Sequence, residues 1–421
     1  MPNKLRAFVA LTVLTLGGLS LGTRLDSQAL AKSQDAYQSL EVFSQVLHRI
    51  RQDYVDAVDV DRLMLGAING MVKTLDPFSQ YMTPEQFRSF QEETSGEYFG
   101  IGVEITQENK GLKIVAPYPG SPAEKAGLKA GDLIVKIDGA AFSDIGPSEA
   151  VNRIKGRKGT KVLLGIQRAD WKDVRDIPVE RDQIHTPAVV AKNLEGGIGY
   201  VRVMQFQERV ADDVQKAIKD LEGKTGSPLK GLVLDLRNNP GGLLDEAVEM
   251  ADLFIEQGVI VSTKGRTEDE VKRARRSGTL PPFPMVLLIN DGSASASEIL
   301  AGALQDHKRA TIVGEPSYGK GSVQNIIRLE NEGALRLTVA KYYTPNGRPI
   351  DPKNSIIPDV FSAPSDEEQE AQLDESDGGA MILREQQVDP SKDMQLREGL
   401  AQLKKANSGE KSAPQQDARK P

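Results

Sequence analysis

The chain has 421 residues, of which 39% are hydrophobic and 27% charged, and its formal net charge is −7 at pH 7. This length predicts several domains, and the mild negative charge argues against a general nucleic-acid-binding protein. There is no cysteine, and the only histidines are His48, His185 and His307. Disulfides, thiol nucleophiles and thiolate metal sites are therefore excluded, and no histidine spacing suits a catalytic zinc ion.

The N-terminus has the layout of an export signal. Lys4 and Arg6 precede an apolar run from Ala7 to Leu21, and Ala29-Leu30-Ala31 offers a cleavage site. We expect residues 1–31 to be a signal peptide, because the apolar run is shorter than the roughly 20 residues of a spanning helix. An uncleaved N-terminal anchor is the alternative. Either arrangement predicts an exported protein, with the periplasm favoured over a thylakoid lumen or the cell exterior.

Residues 34–95 are predicted to form a helical module. Apolar side chains recur there at three- and four-residue steps: Leu40, Phe43, Val46, Leu47, Ile50 and Tyr54, then Ile68, Met71, Val72 and Leu75. Thr83, Pro84 and Gln86 predict a further helix with Thr83 as its N-cap. The apolar stripes would also suit docking on a second copy of the chain, so a homo-oligomer formed through these helices and the C-terminal segment stays open.

From residue 96 to residue 181 the pattern changes to short strands separated by Gly, Pro and Asp turns. The predicted strands are Ile101 to Ile105, Leu112 to Ala116, Leu133 to Ile137 and Lys161 to Gln167. Ser121 and Gly127 predict the two ends of a one-turn helix, and a second helix is expected near Pro147 to Ile154.

The stretch from Gly120-Ser121-Pro122-Ala123-Glu124 to Ala130-Gly131-Asp132-Leu133-Ile134 is similar to the central segment of PDZ domains in bacterial envelope proteases. The resemblance implies that residues 96–181 form one mainly β PDZ domain, which binds an extended C-terminal peptide as an added strand and prefers apolar C-terminal residues. Its carboxylate-binding loop would include Phe99, Gly100, Ile101 and Gly102, where glycine lets the backbone approach the carboxylate. A plain β-turn is the alternative for these glycines.

Strands and helices alternate from residue 182 to residue 362, which predicts a layered α/β domain with a largely parallel sheet. The strands are expected near Ile198 to Val203, Gly231 to Leu236 and Met285 to Asn290, and the helices near Val210 to Leu221, Leu243 to Ile255 and Ser295 to Leu304. Residues 363–421 are polar. We expect a helix over Met394 to Lys405, a disordered tail, and only a solubilising role for this segment.

Three segments of the α/β domain carry candidate chemistry: Leu234 to Gly242, Asn290 to Glu298, and Gly319 to Gln324. Ser295 with Glu298 three residues later fits a capping box, which would be purely structural. A serine at a helix N-terminus is also where a nucleophile gains from the helix dipole and the free N–H groups. The local pattern alone does not choose among Ser293, Ser295 and Ser297.

A serine nucleophile needs a base. His307 is expected about three turns, or roughly 17 Å, beyond Ser295 on the same helix, which is too far. A lysine can serve only where burial lowers its pKa and keeps the amine neutral. Lys320, between two glycines and beside an apolar strand, is a candidate, although a solvated turn lysine fits the same pattern. The surrounding spacing does not match a phosphate-binding loop.

Together with the PDZ-like region, the three segments resemble the carboxy-terminal processing peptidases, or tail-specific proteases, of the S41 serine peptidase family. The resemblance implies a multidomain α/β protein with a ClpP/crotonase-like protease core. It assigns Ser295 as nucleophile, Lys320 as general base and Gln324 as the residue that holds the lysine amine. It also implies an oxyanion hole made by the Ala296 N–H and an N–H of the Gly241-Gly242 turn.

The resemblance implies a serine endopeptidase, without metal or cofactor, that cleaves exported proteins near their C-termini through an acyl-enzyme. Two alternatives stand beside it. An envelope scaffold would capture C-termini with its PDZ domain while its α/β domain is idle, although the set Ser295, Lys320 and Gln324 argues against this. A Ser–His enzyme would use His307 as its base.

Overall fold

The computed structural model describes residues 37–365 and 388–408. The expected signal peptide and the expected disordered tail lie outside these residues. The chain divides into two compact units, Met1–Pro77 and Phe78–Pro421. In the described part of the chain, no helix is both long enough and apolar enough to cross a membrane.

The described part of the first unit contains two helices, α1 over residues 37–53 and α2 over Val60–Lys73. Asp59 caps α2, since its carboxylate accepts the backbone N–H groups of Asp61 and Arg62. Several apolar side chains of this unit are solvent-exposed: Tyr37, Leu40, Phe43, Val46, Met71 and Leu75. Helices are present here as predicted, but the predicted module of residues 34–95 is divided, because residues 78–95 belong to the second unit. The exposed apolar side chains leave the homo-oligomer as a prediction.

The second unit begins with a short strand and a helix, β1 (Gln80–Met82) and α3 (Pro84–Ser95). Thr83 caps α3 through the predicted capping box: its hydroxyl accepts the Gln86 N–H, and the Gln86 side chain accepts the Thr83 N–H. Phe87 of α3 packs with Met82 and Ala334 in a small buried cluster. This cluster holds α3 against the strand that contains Ala334.

A small β-domain follows. Its elements are β2 (Glu97–Gly100), β3 (Val103–Glu108), β4 (Gly111–Pro117), α4 (Pro122–Lys125), β5 (Leu133–Ile137), β6 (Ala140–Ala141), α5 (Phe142–Ile154), β7 (Lys161–Gln167), β8 (Arg175–Glu180) and β9 (Asp182–His185). Strands β3, β4, β5, β7 and β8 are neighbours in that order, β6 pairs with β5, and β2 pairs with β9. The sheet and α5 share one buried cluster. The mainly β domain predicted for this region is therefore confirmed.

The larger domain contains the remaining elements: β10 (Val189–Leu194), β11 (Ile198–Val203), α6 (Val210–Thr225), β12 (Gly231–Asp235), α7 (Leu244–Asp252), β13 (Gly258–Gly265), β14 (Asp269–Ala274), β15 (Met285–Ile289), α8 (Ala296–Asp306), β16 (Thr311–Gly314), β17 (Ser322–Arg328), β18 (Ala334–Tyr343), β19 (Val360–Phe361) and α9 (Met394–Ser408). Strands β10, β11, β12, β15, β16 and β19 form its central sheet in that order. Only the β10–β11 pair of this sheet is antiparallel. The predicted layered α/β domain with a largely parallel sheet is confirmed.

A second, antiparallel sheet was not predicted, although its strand β17 corresponds to the apolar strand expected beside Lys320. Its strands β1, β18, β13 and β14 are neighbours in that order, and β17 also pairs with β18. Charged and partly exposed residues fill much of these strands, as in Asp269–Ala274. Without a clear apolar alternation, sequence periodicity gives little signal for such strands. The missed sheet matters for the site, because β17 begins just after Lys320.

The central sheet is covered on both faces, as a parallel sheet requires. Helices α6, α7 and α8 pack on one face, against alternate residues such as Val201, Leu234 and Ile289. Helix α9 packs on the other face, where Leu396 and Leu403 are at most 1% exposed. The helix was predicted, but the solubilising role expected of the C-terminal segment is wrong for this helix, because it covers an apolar sheet face that water would otherwise reach. For the rest of the segment, which lies largely outside the described residues, that role stays a prediction.

Leu403 gives a direct test of this packing. Leu403→Ala should lower the free energy of unfolding by about 2–5 kcal/mol, because it leaves a cavity between α9 and the sheet. Urea denaturation of the purified chain measures the loss. Leu329→Ala, at a leucine that is 38% exposed, should cost well under half as much. Equal losses for the two variants would contradict the docking of α9.

Candidate active site

A buried ionic network lies where β12 leaves the central sheet. Asp235 is fully buried and accepts hydrogen bonds from the Arg237 guanidinium and from Tyr200 Oη. Arg237 Nη2 also donates to Asp393 Oδ2, just before α9, at 2.7 Å. Burial acts to raise the pKa of Asp235, but the charges of Arg237 and Arg202 outweigh it and lower the pKa to about 2. The network anchors the turn that follows β12.

Asparagine side chains then hold that turn against its neighbours. Asn238 and Asn290 are paired reciprocally: Asn238 N–H donates to Asn290 Oδ1, and Asn290 Nδ2 donates to Asn238 Oδ1, both at 2.8 Å. Asn239 is fully buried, donates from Nδ2 to the Val203 carbonyl, and accepts the Gly241 N–H at 2.9 Å. The turn after β12 and the turn after β15 are therefore held together by paired amides, of which Asn290 is buried and Asn238 is exposed.

Gly241 and Gly242 lie where no side chain fits. Their φ angles are 101° and 143°, values that favour glycine. A Cβ on Gly241 would lie 2.8 Å from Ser295 Cβ and 2.9 Å from the Ala296 nitrogen. A Cβ on Gly242 would lie 2.3 Å from the Phe206 carbonyl oxygen. The glycine turn therefore contacts the start of α8 directly, backbone against backbone.

The predicted oxyanion-hole residues meet at this contact. The Gly241 N–H is already bonded to Asn239 Oδ1. Within the described part of the chain, the N–H groups of Gly242 and Ala296 have no hydrogen-bond acceptor. Of the two glycines in the predicted turn, Gly242 is thus the one whose N–H is free to pair with Ala296 in holding a developing oxyanion.

The three candidate serines at the start of α8 differ in their environment: Ser293 and Ser295 precede the helix, and Ser297 is its second residue. Ser293 Oγ donates to the Leu236 carbonyl at 2.8 Å, and Ser297 Oγ donates to the Asn239 carbonyl at 2.9 Å. Both serines are fully buried. Ser295 Oγ donates no hydrogen bond within the described chain. The hydroxyls on either side are committed to structure, so Ser295 is the serine left for chemistry.

Ser295 has a strained backbone. It lies directly before α8 with φ 55° and ψ −111°, a region that costs a residue with a Cβ about 1–3 kcal/mol. A nucleophilic serine on a sharp strand-to-helix turn shows this kind of strain, since the turn presents the hydroxyl in front of the helix N-terminus. Ser295 is 8% exposed, so it lies in a sheltered position in the turn between β15 and α8.

A single carboxylate joins the serine turn to the lysine turn. Glu298 is fully buried. Its Oε2 accepts the N–H groups of Ser295 and Lys320 at 2.9 and 2.8 Å. Its Oε1 accepts the Gly319 N–H at 2.7 Å and the Ser317 hydroxyl at 2.5 Å. The sequence predicted only a helix cap here, because the partners at positions 317–320 lie far along the chain and no local pattern reveals them.

Lys320 is half-buried beside this carboxylate. Burial lowers the pKa of its amine, the positive charge of Arg336 lowers it further, and Glu298 acts in the opposite direction. Its Nζ lies 5.1 Å from the centre of the Phe78 ring and makes no hydrogen bond or ion pair within the described chain. The structure therefore brings the Lys320 backbone to Ser295 through Glu298, while the amine itself rests on Phe78 and not on Ser295 Oγ.

Gln324 does not contact the lysine amine in this arrangement. Its Nε2 donates to Ser322 Oγ at 2.7 Å, to the Ser322 carbonyl at 3.1 Å and to Thr338 Oγ1 at 3.3 Å. A register shift between Val323 and Gln324 also interrupts the pairing of β17 with β18. Gln324 as the residue that holds the Lys320 amine therefore stays a prediction. To make this contact, the Gln324 side chain would have to turn towards Lys320.

The histidines lie elsewhere. His307 ends α8, and its Nε2 is 2.7 Å from the Val259 carbonyl oxygen. His185 lies on β9, 3.8 Å from carboxylate oxygens of Glu97 and Asp213. His48 is in α1 of the first unit. None of them is hydrogen-bonded to Ser295, and eleven helical residues separate His307 from it.

Of the residues predicted to form the carboxylate loop, only Ile101 and Gly102 lie in a loop. Phe99 and Gly100 belong to β2 and pair with Gln183 and Asp182 of β9. Phe99 is 48% exposed, Gly102 has φ 75°, and Ile101 is buried in the domain core. Strand β3 follows at once and pairs with β4 on one side only, so no described strand covers its other edge. Ile105 of β3 and Val151 of α5 are partly exposed apolar side chains. Residues 99–102, the free edge of β3 and these two apolar side chains therefore lie in the same part of the β-domain.

Family models match three regions of the chain. Residues 197–362 match "Peptidase family S41", residues 113–168 match "PDZ domain", and residues 19–86 match "Activating protease CtpB N-terminal domain". The matches follow the structural parts described above: the larger α/β domain, the small β-domain and the N-terminal helices.

Curated relatives share most of the chain. A carboxy-terminal-processing protease of Bartonella bacilliformis is 48% identical over 330 residues, which are 78% of this chain and 76% of the relative. The carboxy-terminal processing protease CtpA of Bacillus subtilis is 37% identical over 368 residues, 86% of this chain and 78% of the relative. Among solved structures, a photosystem II D1 C-terminal processing protease is 30% identical, with 76% of this chain and 92% of that chain covered and a TM-score of 0.44. The chain belongs to the S41 family of serine peptidases, with the carboxy-terminal processing proteases as its relatives.

Proposed function

We propose that this S41 peptidase is an endopeptidase in which Ser295 is the nucleophile and Lys320 the general base, acting on exported proteins near their C-termini. The observation that carries the proposal is the buried Glu298 carboxylate, which accepts N–H groups from both Ser295 and Lys320. One rigid group thus sets the distance between the serine turn and the lysine turn.

The reaction follows from these positions. The neutral Lys320 amine swings from Phe78 to Ser295 Oγ and takes its proton while the oxygen attacks the peptide carbonyl carbon. The N–H groups of Ala296 and Gly242 hold the oxyanion, assisted by the positive end of α8. Lys320 returns the proton to the leaving amine, and an acyl-enzyme remains on Ser295. Water, deprotonated by Lys320, then releases the new C-terminus. Gln324 would orient the amine after it has moved.

Substrate tails are proposed to bind on the small β-domain. An extended peptide would add as a strand to the free edge of β3, with its carboxylate at residues 99–102, where β2 ends and the chain turns into β3. Ile105 and Val151 favour apolar C-terminal residues. We propose an exported location, with the periplasm favoured over a thylakoid lumen or the cell exterior, because the N-terminal sequence has the layout of a signal peptide. The exposed apolar side chains of the N-terminal helices support the proposal of a homo-oligomer.

Loss of either proposed catalytic group should abolish cleavage. Ser295→Ala and Lys320→Ala should each lower kcat/KM on an unfolded protein substrate by at least about a thousandfold. His307→Ala should stay near wild type, since its ring is engaged with Val259. Densitometry of substrate loss on gels measures all three. Full activity in the Lys320 variant, or inactivity of a folded His307 variant, would overturn the Ser–Lys assignment. A wild-type chain that binds tails without cutting them would favour the scaffold.

The activity should rise with pH as the Lys320 amine loses its proton, because only the neutral amine accepts the serine proton. Arg336 lowers the pKa of this amine, so Arg336→Gln should move the half-maximal pH of kcat/KM upward. Arg328→Gln is the matched control: Arg328 and Arg336 both lie over phenylalanine rings of α3, at 5.6 and 5.8 Å. A peptide-substrate pH series measures the shift. Identical profiles for both variants would refute the charge effect.

Glu298→Gln should show whether Glu298 positions the Ser295 and Lys320 turns without contributing to substrate binding. The amide presents an NH2 group to backbone N–H donors, so the two turns move apart and kcat should fall by about a hundredfold, with KM nearly unchanged. Steady-state kinetics and the rate of fluorophosphonate labelling of Ser295 both report this loss. Glu330→Gln, on an exposed turn, should behave as wild type. Normal labelling in a folded Glu298→Gln protein would contradict the positioning role.

A further inference from the structure

The Lys320 amine has the ring of Phe78 as its neighbour. Lys320 Nζ lies 5.1 Å from the centre of this ring, within the distance of about 6 Å at which an aromatic face attracts a cation. In the described part of the chain the amine makes no hydrogen bond and no ion pair. The ring face is therefore the group that receives the ammonium form of this side chain.

The carboxylate beside Lys320 is already occupied. Glu298 accepts the backbone N–H groups of Ser295, Gly319 and Lys320 and the hydroxyl of Ser317. The two oxygens of a carboxylate offer about four lone-pair sites, and these four donors use them. Glu298 thus has no site left for an ion pair with the lysine amine, although it is close enough to act on its charge.

Strand β18 holds the segment that carries Phe78. Ser79 is buried, and its Oγ accepts the Thr338 N–H at 3.1 Å. The next residue, Gln80, is in β1 and lies opposite Arg336 of β18. These contacts fix the backbone that follows Phe78, so the ring stays within reach of the lysine side chain.

Two charged groups act on the amine in opposite directions. Burial and the charge of Arg336, on β18, lower the pKa of Lys320, while Glu298, on α8, raises it. Arg336 has a ring of its own, since its guanidinium carbon is 5.8 Å from the centre of the Phe90 ring. The face of Phe78 differs from both charges, because it attracts the ammonium form at short range and has no such attraction for the neutral amine.

We propose that Phe78 is a positioning residue for the base: its ring holds the Lys320 ammonium group away from Ser295, and loss of the proton releases the amine to the serine. The proposal rests on the proposed Ser–Lys mechanism. The ring stabilises only the charged form, so it keeps the side chain from Ser295 at low pH and has no hold on it at high pH. Phe78 thereby couples the position of the base to its protonation state and raises the pH at which activity appears.

Graded fluorination of the Phe78 ring in the full chain tests this, because fluorine withdraws π-electrons and leaves the shape of the ring nearly unchanged. The half-maximal pH of kcat/KM on a peptide substrate should fall stepwise with mono-, di- and trifluorophenylalanine at position 78, by about half a pH unit in all. The 13Cε titration midpoint of Lys320, measured by NMR in the same proteins carrying Ser295→Ala, should fall equally. Cyclohexylalanine, which keeps the size of the ring without its π-electrons, should lower both midpoints at least as far.

Phe87 gives the matched control. Its ring carries the guanidinium of Arg328 at 5.6 Å, a cation that does not lose its proton in a protein. The same fluorinated residues at position 87 should therefore leave both midpoints unchanged.

The outcomes separate this proposal from the mechanism on which it rests. If neither trifluorophenylalanine nor cyclohexylalanine at position 78 moves the two midpoints, or if the series at position 87 moves them as far, the role of Phe78 is overturned while Lys320 can still be the base. If the NMR midpoint falls but the kcat/KM profile does not follow it, Phe78 does hold the ammonium group, and the Ser–Lys mechanism fails.

Discussion

The site depends on one buried carboxylate. Glu298 has no exposed surface, and such a group is stable in the interior only when hydrogen-bond donors surround it. Three backbone N–H groups and one hydroxyl do so. The donors come from the start of α8 and from the Ser317–Lys320 segment, so satisfying the carboxylate brings together two parts of the chain that the proposed chemistry needs as neighbours.

The strain at Ser295 is supported by the same packing. A left-handed φ at a residue with a Cβ persists only where the surroundings leave no alternative. Here Glu298 holds the Ser295 N–H, Gly241 packs against its Cβ, and the paired Asn238 and Asn290 lock the two turns. The ionic network of Asp235, Arg237 and Asp393 anchors the first turn and ties it to α9. The C-terminal helix is thus part of the support of the site, although it lies on the far face of the sheet.

Sequence patterns predicted the elements with strong local signals. The buried strand Ile198–Val203, the half-buried strand Leu133–Ile137 and the cap at Thr83 were found because periodicity and capping chemistry act over a few residues. The antiparallel sheet was missed, since its strands alternate weakly and their pairing is long-range. The C-terminal helix was predicted, but its burial against the sheet was not. Leu396 and Leu403 are two apolar residues among many polar ones, and their burial depends on the sheet face that the helix covers.

The candidate catalytic residues were predicted from the resemblance to family motifs more than from local chemistry. Local chemistry alone fits Ser295 equally well as a helix cap and Lys320 equally well as a solvated turn lysine. The structure adds three long-range contacts that the motifs do not contain: Glu298 joins the serine turn to the lysine turn, the Gly242 N–H has no acceptor, and the Lys320 amine lies over the Phe78 ring.

The central claim is that the Lys320 amine is neutral at working pH. An NMR titration of the Lys320 13Cε signal, assigned by comparison with Lys320→Arg, tests it most directly. The account predicts a midpoint below the ordinary lysine pKa of about 10.4 and equal to the half-maximal pH of kcat/KM. A midpoint at or above the ordinary value, or full activity at a pH well below the midpoint, would contradict it.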